Sequence, residues 1–113
     1  MNILGISGSL GWDGNIPYEL PEIGDLWVHG SGATLIMDGE VKNAICEERF
    51  SRIKYDGHYP KLAIQHILDY NKITKDDIDL VVYVCGAPDV SSALKQSGYI
   101  ENKLQENFPN CKV

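Results

Sequence analysis

The chain of 113 residues has only three cysteines, and none of them stands in a CxxC pair or beside a cluster of histidines. Three scattered cysteines are too few for a disulfide framework, and they lack the spacing of a zinc site. No apolar run approaches the roughly 18–20 residues of a membrane-spanning helix, and Met1–Leu10 lacks the basic start of a signal peptide. The sequence therefore predicts a cytoplasmic protein with no membrane partner, in which Cys46 and Cys85 are buried and inert.

Positive charge is also scarce, because 10 lysines and arginines stand against 16 aspartates and glutamates, a net charge of −6. A nucleic-acid-binding face needs an excess of basic residues to replace the counterions of the phosphates, so nucleic acid is excluded as the main partner. Hydrophobic residues make up 43% of the chain and charged residues 23%, which is typical of a globular protein rather than a disordered one. This length predicts one domain with a single core.

The order of strands and helices predicts a mixed α/β sheet. Met1–Ser7 predicts a buried strand, and the runs Ala33–Met37 and Glu40–Cys46 predict a hairpin, because the Asp38-Gly39 pair between them suits a turn with positive φ angles. A helix is expected to begin at Pro60, whose missing N–H is tolerated in the first turn. Its apolar face consists of Ala63, Ile64, Ile67 and Leu68.

The last third of the chain predicts a strand, a helix and the start of another strand. The uninterrupted apolar run Leu80–Val84 is typical of a central strand covered on both faces. The remaining predictions are a helix end at Asn71, a capping box between Thr74 and Asp77, a turn at Gly86–Asp89, a polar helical segment within Ser92–Asn107 and the start of a strand at Cys111–Val113.

Two segments before the hairpin could carry chemistry. The glycines Gly5, Gly8 and Gly11 do not spell GxGxxG or a P-loop, so their spacing leaves both a plain turn and contact with a phosphate open. The loop Gly8–Asp25 is unusually long for a compact domain, and loops of this length are usually functional or disordered. His29, next to small residues, is either an accessible proton acceptor or a hydrogen-bonded histidine at a strand edge.

The charged segment Glu47–Lys54 reads EERFSRIK. Phe50 and Ile53 alternate with the charges, so they are predicted to anchor the segment while three cations project: Arg49, Arg52 and Lys54. Arginine forks suit phosphate or carboxylate groups, and lysine supplies a mobile point charge. Composition alone leaves a solvated ion-pair face and an anion site open. His58 and His66 are predicted to be exposed.

Taken together, these segments resemble the NodU/CmcH-type O-carbamoyltransferases of natural-product biosynthesis. The resemblance runs almost from end to end, through MNILGISGS, WVHGSGATLIMDGEV and AICEERFSRIKYDGHYPKLAIQHIL. Its most specific part is Glu-Glu-Arg-Phe-Ser-Arg-x-Lys followed by a loop, a proline and a helix. The insertion Gly8–Leu26 is most similar to the branch of the family that includes novobiocin carbamoyltransferase.

The resemblance implies an α/β fold, namely the mixed-sheet opening portion of an actin-like ATPase (RNase H-like, ASKHA) domain, truncated at residue 113. In complete family members this domain binds ATP and a divalent metal and is followed by a YrdC-like domain. The YrdC-like domain makes carbamoyl-adenylate from carbamoyl phosphate and ATP. The actin-like domain then passes the carbamoyl group to a hydroxyl of a small-molecule acceptor.

The resemblance also implies roles for individual residues. His29 matches the family histidine near the carbamoyl group and the acceptor, and Lys54 matches a lysine of the same site. A histidine there would remove the acceptor proton, and a lysine would stabilise developing negative charge. The predicted substrate- or anion-binding residues are Arg49, Arg52, Ser7 and Gly8. The loop Gly8–Leu26 is expected to form a wall for the acceptor.

The chain ends at Cys111–Val113, before the His-x-x-x-His metal motif of the family. We therefore expect no metal ligands in these 113 residues and no carbamoyl transfer by them alone, and we expect a C-terminal remainder or a separate subunit as partner. The alternative is a non-catalytic binding module that keeps the actin-like opening fold. A small kinase-like ATPase of the same superfamily is disfavoured, because the first strand holds no acidic residue.

Overall fold

The computed structural model describes residues 1–8, 30–54, 56–84 and 98–113. They form the predicted mixed α/β arrangement, with strands in the order β3-β2-β1-β4. Strand β1 is antiparallel to β2 and parallel to β4, and β2 is antiparallel to β3. The elements are β1 (Asn2–Ser7), β2 (Gly32–Met37), β3 (Glu40–Cys46), α1 (Glu48–Ser51), α2 (Lys61–Asn71), a 3-10 turn (Lys75–Asp77), β4 (Leu80–Val84) and α3 (Tyr99–Asn107).

Strands β2 and β3 form the predicted hairpin. Asp38 and Gly39 have φ angles of +50° and +85°, the two positive values that a two-residue turn of this twist requires. The amino terminus of Met1 contacts Asp38 Oδ1 at 2.8 Å, which ties the start of β1 to this turn. The turn sets the pairing of Met37 with Glu40 and Ile36 with Val41, and the register shifts by one residue between Ile36 and Leu35.

The core lies between α2, α3 and one face of the sheet. Alternate residues of the strands point to this face, and the apolar residues of α2 cover it as predicted. Helix α2 ends at Asn71, where Lys72 takes up a left-handed conformation. It begins at Lys61, so Pro60 is the N-cap residue and lies one position before the first turn in which it was predicted. The capping box between Thr74 and Asp77 is present.

Strand β4 is covered on one face only, so the prediction of two covered faces is wrong. Val81 is buried, whereas Val82 and Val84 are 43% and 62% exposed. The described helices lie on the opposite face. β-Branched residues suit a strand of which one face is buried as well as one of which both faces are buried. Leu80 forms a parallel bridge with Lys112, which confirms that the chain starts to pair again near Cys111.

One cysteine lies in a different environment from the one predicted. Cys46 is exposed, so its predicted burial is wrong: it lies on β3, at the edge of the described sheet, and its side chain is on the face away from α2. Outside the described residues lie Cys85, His29, residues 9–25 of the predicted loop, the turn Gly86–Asp89 and residues 92–97 of the predicted helix. Among the helices that the structure describes, none has the length and apolar character to cross a membrane.

Candidate functional site

The ends of three strands meet the start of a fourth at one side of the sheet. Ser7 at the end of β1 pairs with Gly32 and with Val84, and Gly32 pairs with Cys46 at the end of β3. We call this row, together with the directly adjoining residues 8, 31 and 47, the strand-end edge. In open α/β sheets ligands bind beyond the carboxyl ends of parallel strands, and the parallel strands β1 and β4 both end here.

An open cleft of about 440 Å³ adjoins the strand-end edge, largely on the sheet face away from α2. Small residues dominate this part of its lining: Gly5, Ser7, Gly30, Gly32, Ala44 and Cys46. The paired strands bring them together, because Gly5 and Ser7 stand opposite Thr34 and Gly32 in the register of the sheet. Backbone is therefore accessible to a ligand in this cleft. Ser7, a predicted substrate-binding residue, is half-buried in its wall.

Gly8 is buried at the point where the chain leaves β1, and only glycine fits there. Its φ angle is +131°, and a Cβ atom would lie 2.5 Å from Ser31 Cβ and 2.9 Å from the carbonyl oxygen of His58. The Tyr83 hydroxyl donates a hydrogen bond to the Gly8 carbonyl at 2.6 Å. Close packing at the strand-end edge thus requires this glycine, and its predicted contact with a ligand stays a prediction.

Two hydrogen bonds join the start of β2 to the loop before α2. The Ser31 backbone N–H and hydroxyl both donate to the carbonyl oxygen of Asp56, at 2.8 and 2.9 Å, and both residues are buried. We call this pair of bonds the Ser31–Asp56 tie. His29 stands two residues before Ser31 in the sequence, and Lys54 stands two residues before Asp56. The tie therefore joins the two segments that carry the predicted catalytic residues.

The Asp56 carboxylate, in turn, holds a histidine. Its Oδ1 atom accepts a hydrogen bond from the backbone N–H of His58 at 2.9 Å and contacts the imidazole Nδ1 at 2.6 Å. The Asp56 side chain is 2% exposed, whereas that of His58 is 51% exposed, as predicted for this histidine. Burial acts to raise the pKa of Asp56, but hydrogen bonds from Ser51 and His58 outweigh it and hold this pKa below its usual range. Asp56 therefore stabilises the fold above the ordinary aspartate pKa, and this stabilisation is lost as the pH falls through the lowered value.

A buried carboxylate fixes the charged segment 47–54. Glu47 is 3% exposed and accepts hydrogen bonds from the backbone N–H groups of Ala63 at 2.8 Å and Leu62 at 3.3 Å, at the start of α2. Phe50 and Ile53 are exposed, so the prediction that they anchor the segment is wrong. Glu47 anchors the segment instead. The first amides of a helix lack hydrogen-bond partners within the helix and carry partial positive charge, so they favour a carboxylate such as that of Glu47.

The predicted site residues divide into three groups. Ser7 and Gly8 lie together at the strand-end edge, and the described lining of the cleft includes Ser7 but not Gly8. Three exposed cations lie on α1 and the loop after it, outside the cleft lining among the described residues: Arg49, Arg52 and Lys54. His29 lies outside the described residues, although its chain neighbour Gly30 lines the cleft.

Sequence reasoning missed the residues that hold this region together, namely Ser31, Glu47 and Asp56. One signal for Asp56 was available, because it is the only acidic residue in the stretch 49–61. A single carboxylate among several cations is a candidate for burial with a partner. No local pattern distinguishes Glu47 from its neighbour Glu48, since the amides it binds lie 15 and 16 residues further along the chain.

We expect Glu47→Gln to lower the free energy of unfolding by about 1–3 kcal/mol, because it turns an amide group toward buried helix N–H groups that need an acceptor. Urea denaturation of the chain and its variant measures this difference. The matched control is Glu48→Gln, an exposed position that should change the free energy by less than about 0.5 kcal/mol. Equal values for the two variants would contradict a stabilising role for the Glu47 carboxylate.

Comparison with known proteins connects this region to one family. The family model described as "Carbamoyltransferase N-terminus" matches residues 22–108. Nodulation protein NolNO of Sinorhizobium fredii is 36% identical over 83 residues, which cover 74% of this chain and 12% of that protein. An uncharacterized 19.2 kDa protein in the syrM 5′ region of Rhizobium etli is 34% identical over 83 residues, covering 74% of this chain and 47% of that protein. The chain thus spans less than half the length of each of these curated relatives.

Proposed function

The chain belongs to the carbamoyltransferase family, whose N-terminal region it matches, and from this premise we propose that it supplies the part of an O-carbamoyltransferase that contacts the carbamoyl group and the acceptor. The proposed donor is carbamoyl-adenylate, made from carbamoyl phosphate and ATP. The hydroxyl oxygen of a small-molecule acceptor forms a bond to the carbamoyl carbon. The bond between that carbon and the phosphate oxygen breaks, and AMP leaves.

The observation that carries this proposal is the Ser31–Asp56 tie. Two peptide units span at most about 7 Å, so the tie restricts how far the backbone at His29 can lie from the backbone at Lys54. In the proposed reaction His29 accepts the proton of the attacking hydroxyl. The Lys54 ammonium stabilises the negative charge that develops on the carbamoyl oxygen and the departing phosphate. An acceptor would lie beside the loop Gly8–Leu26.

The sheet supports a finer proposal about the domain. We propose that residues 1–113 are the N-terminal portion of an actin-like ATPase domain of the RNase H-like, ASKHA class. Three features of the sheet are consistent with this proposal. The β2–β3 hairpin pairs with one side of β1, the parallel strand β4 pairs with the other side, and Lys112 forms a further parallel bridge with β4. In this proposal Ser7 and Gly8 contact the phosphates of a nucleotide at the strand-end edge. Arg49 and Arg52 contribute positive charge.

The complete protein would use ATP and a divalent metal, and the metal would neutralise phosphate charge when bound. Within residues 1–8, 30–54, 56–84 and 98–113, no group of three or more His, Cys, Asp or Glu side chains is arranged to hold a metal ion. We propose that residues outside these ranges bind the metal. The roles of Lys54, Ser7 and Gly8 do not depend on a metal.

Reconstitution tests the proposed reaction. The chain is mixed with the remainder of a carbamoyltransferase, carbamoyl phosphate, ATP and a hydroxylated acceptor, and the carbamoylated acceptor is measured by mass spectrometry. We expect product from the mixture and none from the chain alone, with a full-length family member as the positive control. Product from the positive control but not from the mixture would argue against the proposal and for a non-catalytic binding module.

A further inference from the structure

We propose that Asp56 and His58 form a phosphate-binding pair next to the strand-end edge, in which Asp56 orients the imidazole and Nε2–H of the imidazolium form of His58 donates a hydrogen bond to a phosphate oxygen. Asp56 holds His58 twice, through the backbone N–H and through Nδ1, both on the same carboxylate oxygen. With Nδ1 engaged, Nε2 is the ring nitrogen left for a ligand. Half of the histidine side chain is exposed, while the carboxylate behind it is buried.

The charges around this pair favour an anion. Among the described residues from Arg49 to Lys61, the exposed ionisable groups besides His58 are all cationic, namely Arg49, Arg52, Lys54 and Lys61, and the single carboxylate is the buried Asp56. This local excess of positive charge lies within a chain whose net charge is −6. The start of α2 does not compete for the same ligand, because the Glu47 carboxylate already occupies its amides.

The pair packs beside the strand-end edge, although the described lining of the cleft includes neither residue. The carbonyl oxygen of His58 lies 2.9 Å from where a Cβ atom on Gly8 would stand, so the His58 backbone packs against the turn that leaves β1. A phosphate fits better than a carboxylate, because its additional oxygens can accept from His58 and from a second donor together. The identity of the phosphate compound, either a nucleotide or a smaller phosphate, rests on the proposed function.

Nuclear magnetic resonance of the imidazole rings in the 113-residue chain tests this site directly. Inorganic phosphate and AMP are titrated at pH 6, each against sodium chloride of equal ionic strength. We expect the His58 ring signals to shift and saturate with phosphate. His66 is the internal control, since it is exposed on α2 with ring centroids 5.2 Å from Phe50 and 6.1 Å from Tyr70. Tighter binding of AMP would identify a nucleotide, and equal binding would identify the phosphate group alone.

Two variants separate the pair from general surface charge. Asp56→Asn keeps a side-chain oxygen near His58 but removes the charge, and we expect it to weaken apparent phosphate affinity at least threefold. In His58→Gln the phosphate-induced shifts of the backbone amides of residues 56–61 should fall at least threefold. Equal shifts with sodium chloride, or equal shifts at His58 and His66, would overturn the proposal. This titration needs no carbamoyl transfer, so failure of the reconstitution leaves its result unchanged.

Discussion

Gly8→Ala is expected to destabilise the chain by about 2–6 kcal/mol, because it adds backbone strain of roughly 1–3 kcal/mol to overpacking of roughly 1–3 kcal/mol. The φ angle of +131° lies outside the region that residues with a Cβ atom adopt readily. The added methyl group would also lie 2.5 Å from Ser31 Cβ and 2.9 Å from a backbone oxygen of His58. Neither neighbour can rotate away, since one is a Cβ atom and the other belongs to the main chain.

Two glycine controls separate strain from overpacking. Gly30 has a φ angle of +64°, and apart from its chain neighbours no atom of the described residues lies within 4 Å of the place that an added Cβ atom would take, so Gly30→Ala should cost only about 1–2 kcal/mol of backbone strain. Gly5 has an ordinary φ angle and 3.8 Å of room, so Gly5→Ala should change stability by less than about 1 kcal/mol. Urea denaturation of the three variants gives the comparison. Similar costs at Gly8 and Gly30 would show that close packing at the strand-end edge contributes nothing.

Loss of Gly8 would also reach the candidate site. Ser31 takes part in the Ser31–Asp56 tie, and the His58 backbone donates to the Asp56 carboxylate. A methyl group on Gly8 pushes against both partners of Asp56 at once. A structural glycine, a tie between two segments and a buried carboxylate therefore depend on one another, although they are separated by as many as 48 positions in the sequence, from Gly8 to Asp56.

Sequence reasoning succeeded where the cause is local. The Asp38-Gly39 turn is specified by two adjacent residues that tolerate positive φ angles, and the apolar face of α2 is specified by a spacing of three and four residues. The capping box at Thr74 likewise involves partners three residues apart. Each of these features depends on interactions within one element, so the pattern of residue types is sufficient to predict it.

The same reasoning failed where a partner lies far along the chain. Glu47 is buried because α2 offers two amides to it, and Cys46 is exposed because β3 lies at the edge of the described sheet. Apolar content alone wrongly favoured Phe50 and Ile53 as the anchors. The site residues were proposed by resemblance, whereas the Ser31–Asp56 tie, which connects their segments, required the tertiary structure.

The proposed catalytic roles of Lys54 and His29 lead to the prediction with the largest effect on activity. In the reconstituted transferase, Lys54→Ala is expected to lower kcat/KM for the acceptor by about 10²–10³-fold, because a preorganised cation next to developing negative charge stabilises the transition state by several kcal/mol. His29→Ala should lower it by about 10²–10⁴-fold through loss of the proton acceptor. Both rates are measured from the appearance of carbamoylated product.

A second lysine provides the control for these variants. Lys42 contacts Glu40 at 2.9 Å at the hairpin end of β3, away from the strand-end edge, so Lys42→Ala should leave the transfer rate within about twofold of the original, since a surface ion pair contributes little. Lys54→Arg keeps the positive charge but replaces the compact ammonium with a larger, planar guanidinium group. We therefore expect its transfer rate to lie between that of Lys54→Ala and that of the original chain. Full activity in Lys54→Ala, or equal losses in Lys42→Ala and Lys54→Ala, would show that the ammonium of Lys54 does not act on the reacting group. Unfolding midpoints equal to that of the original chain would show that the losses arise in the chemical step rather than in folding, because Lys54 is exposed.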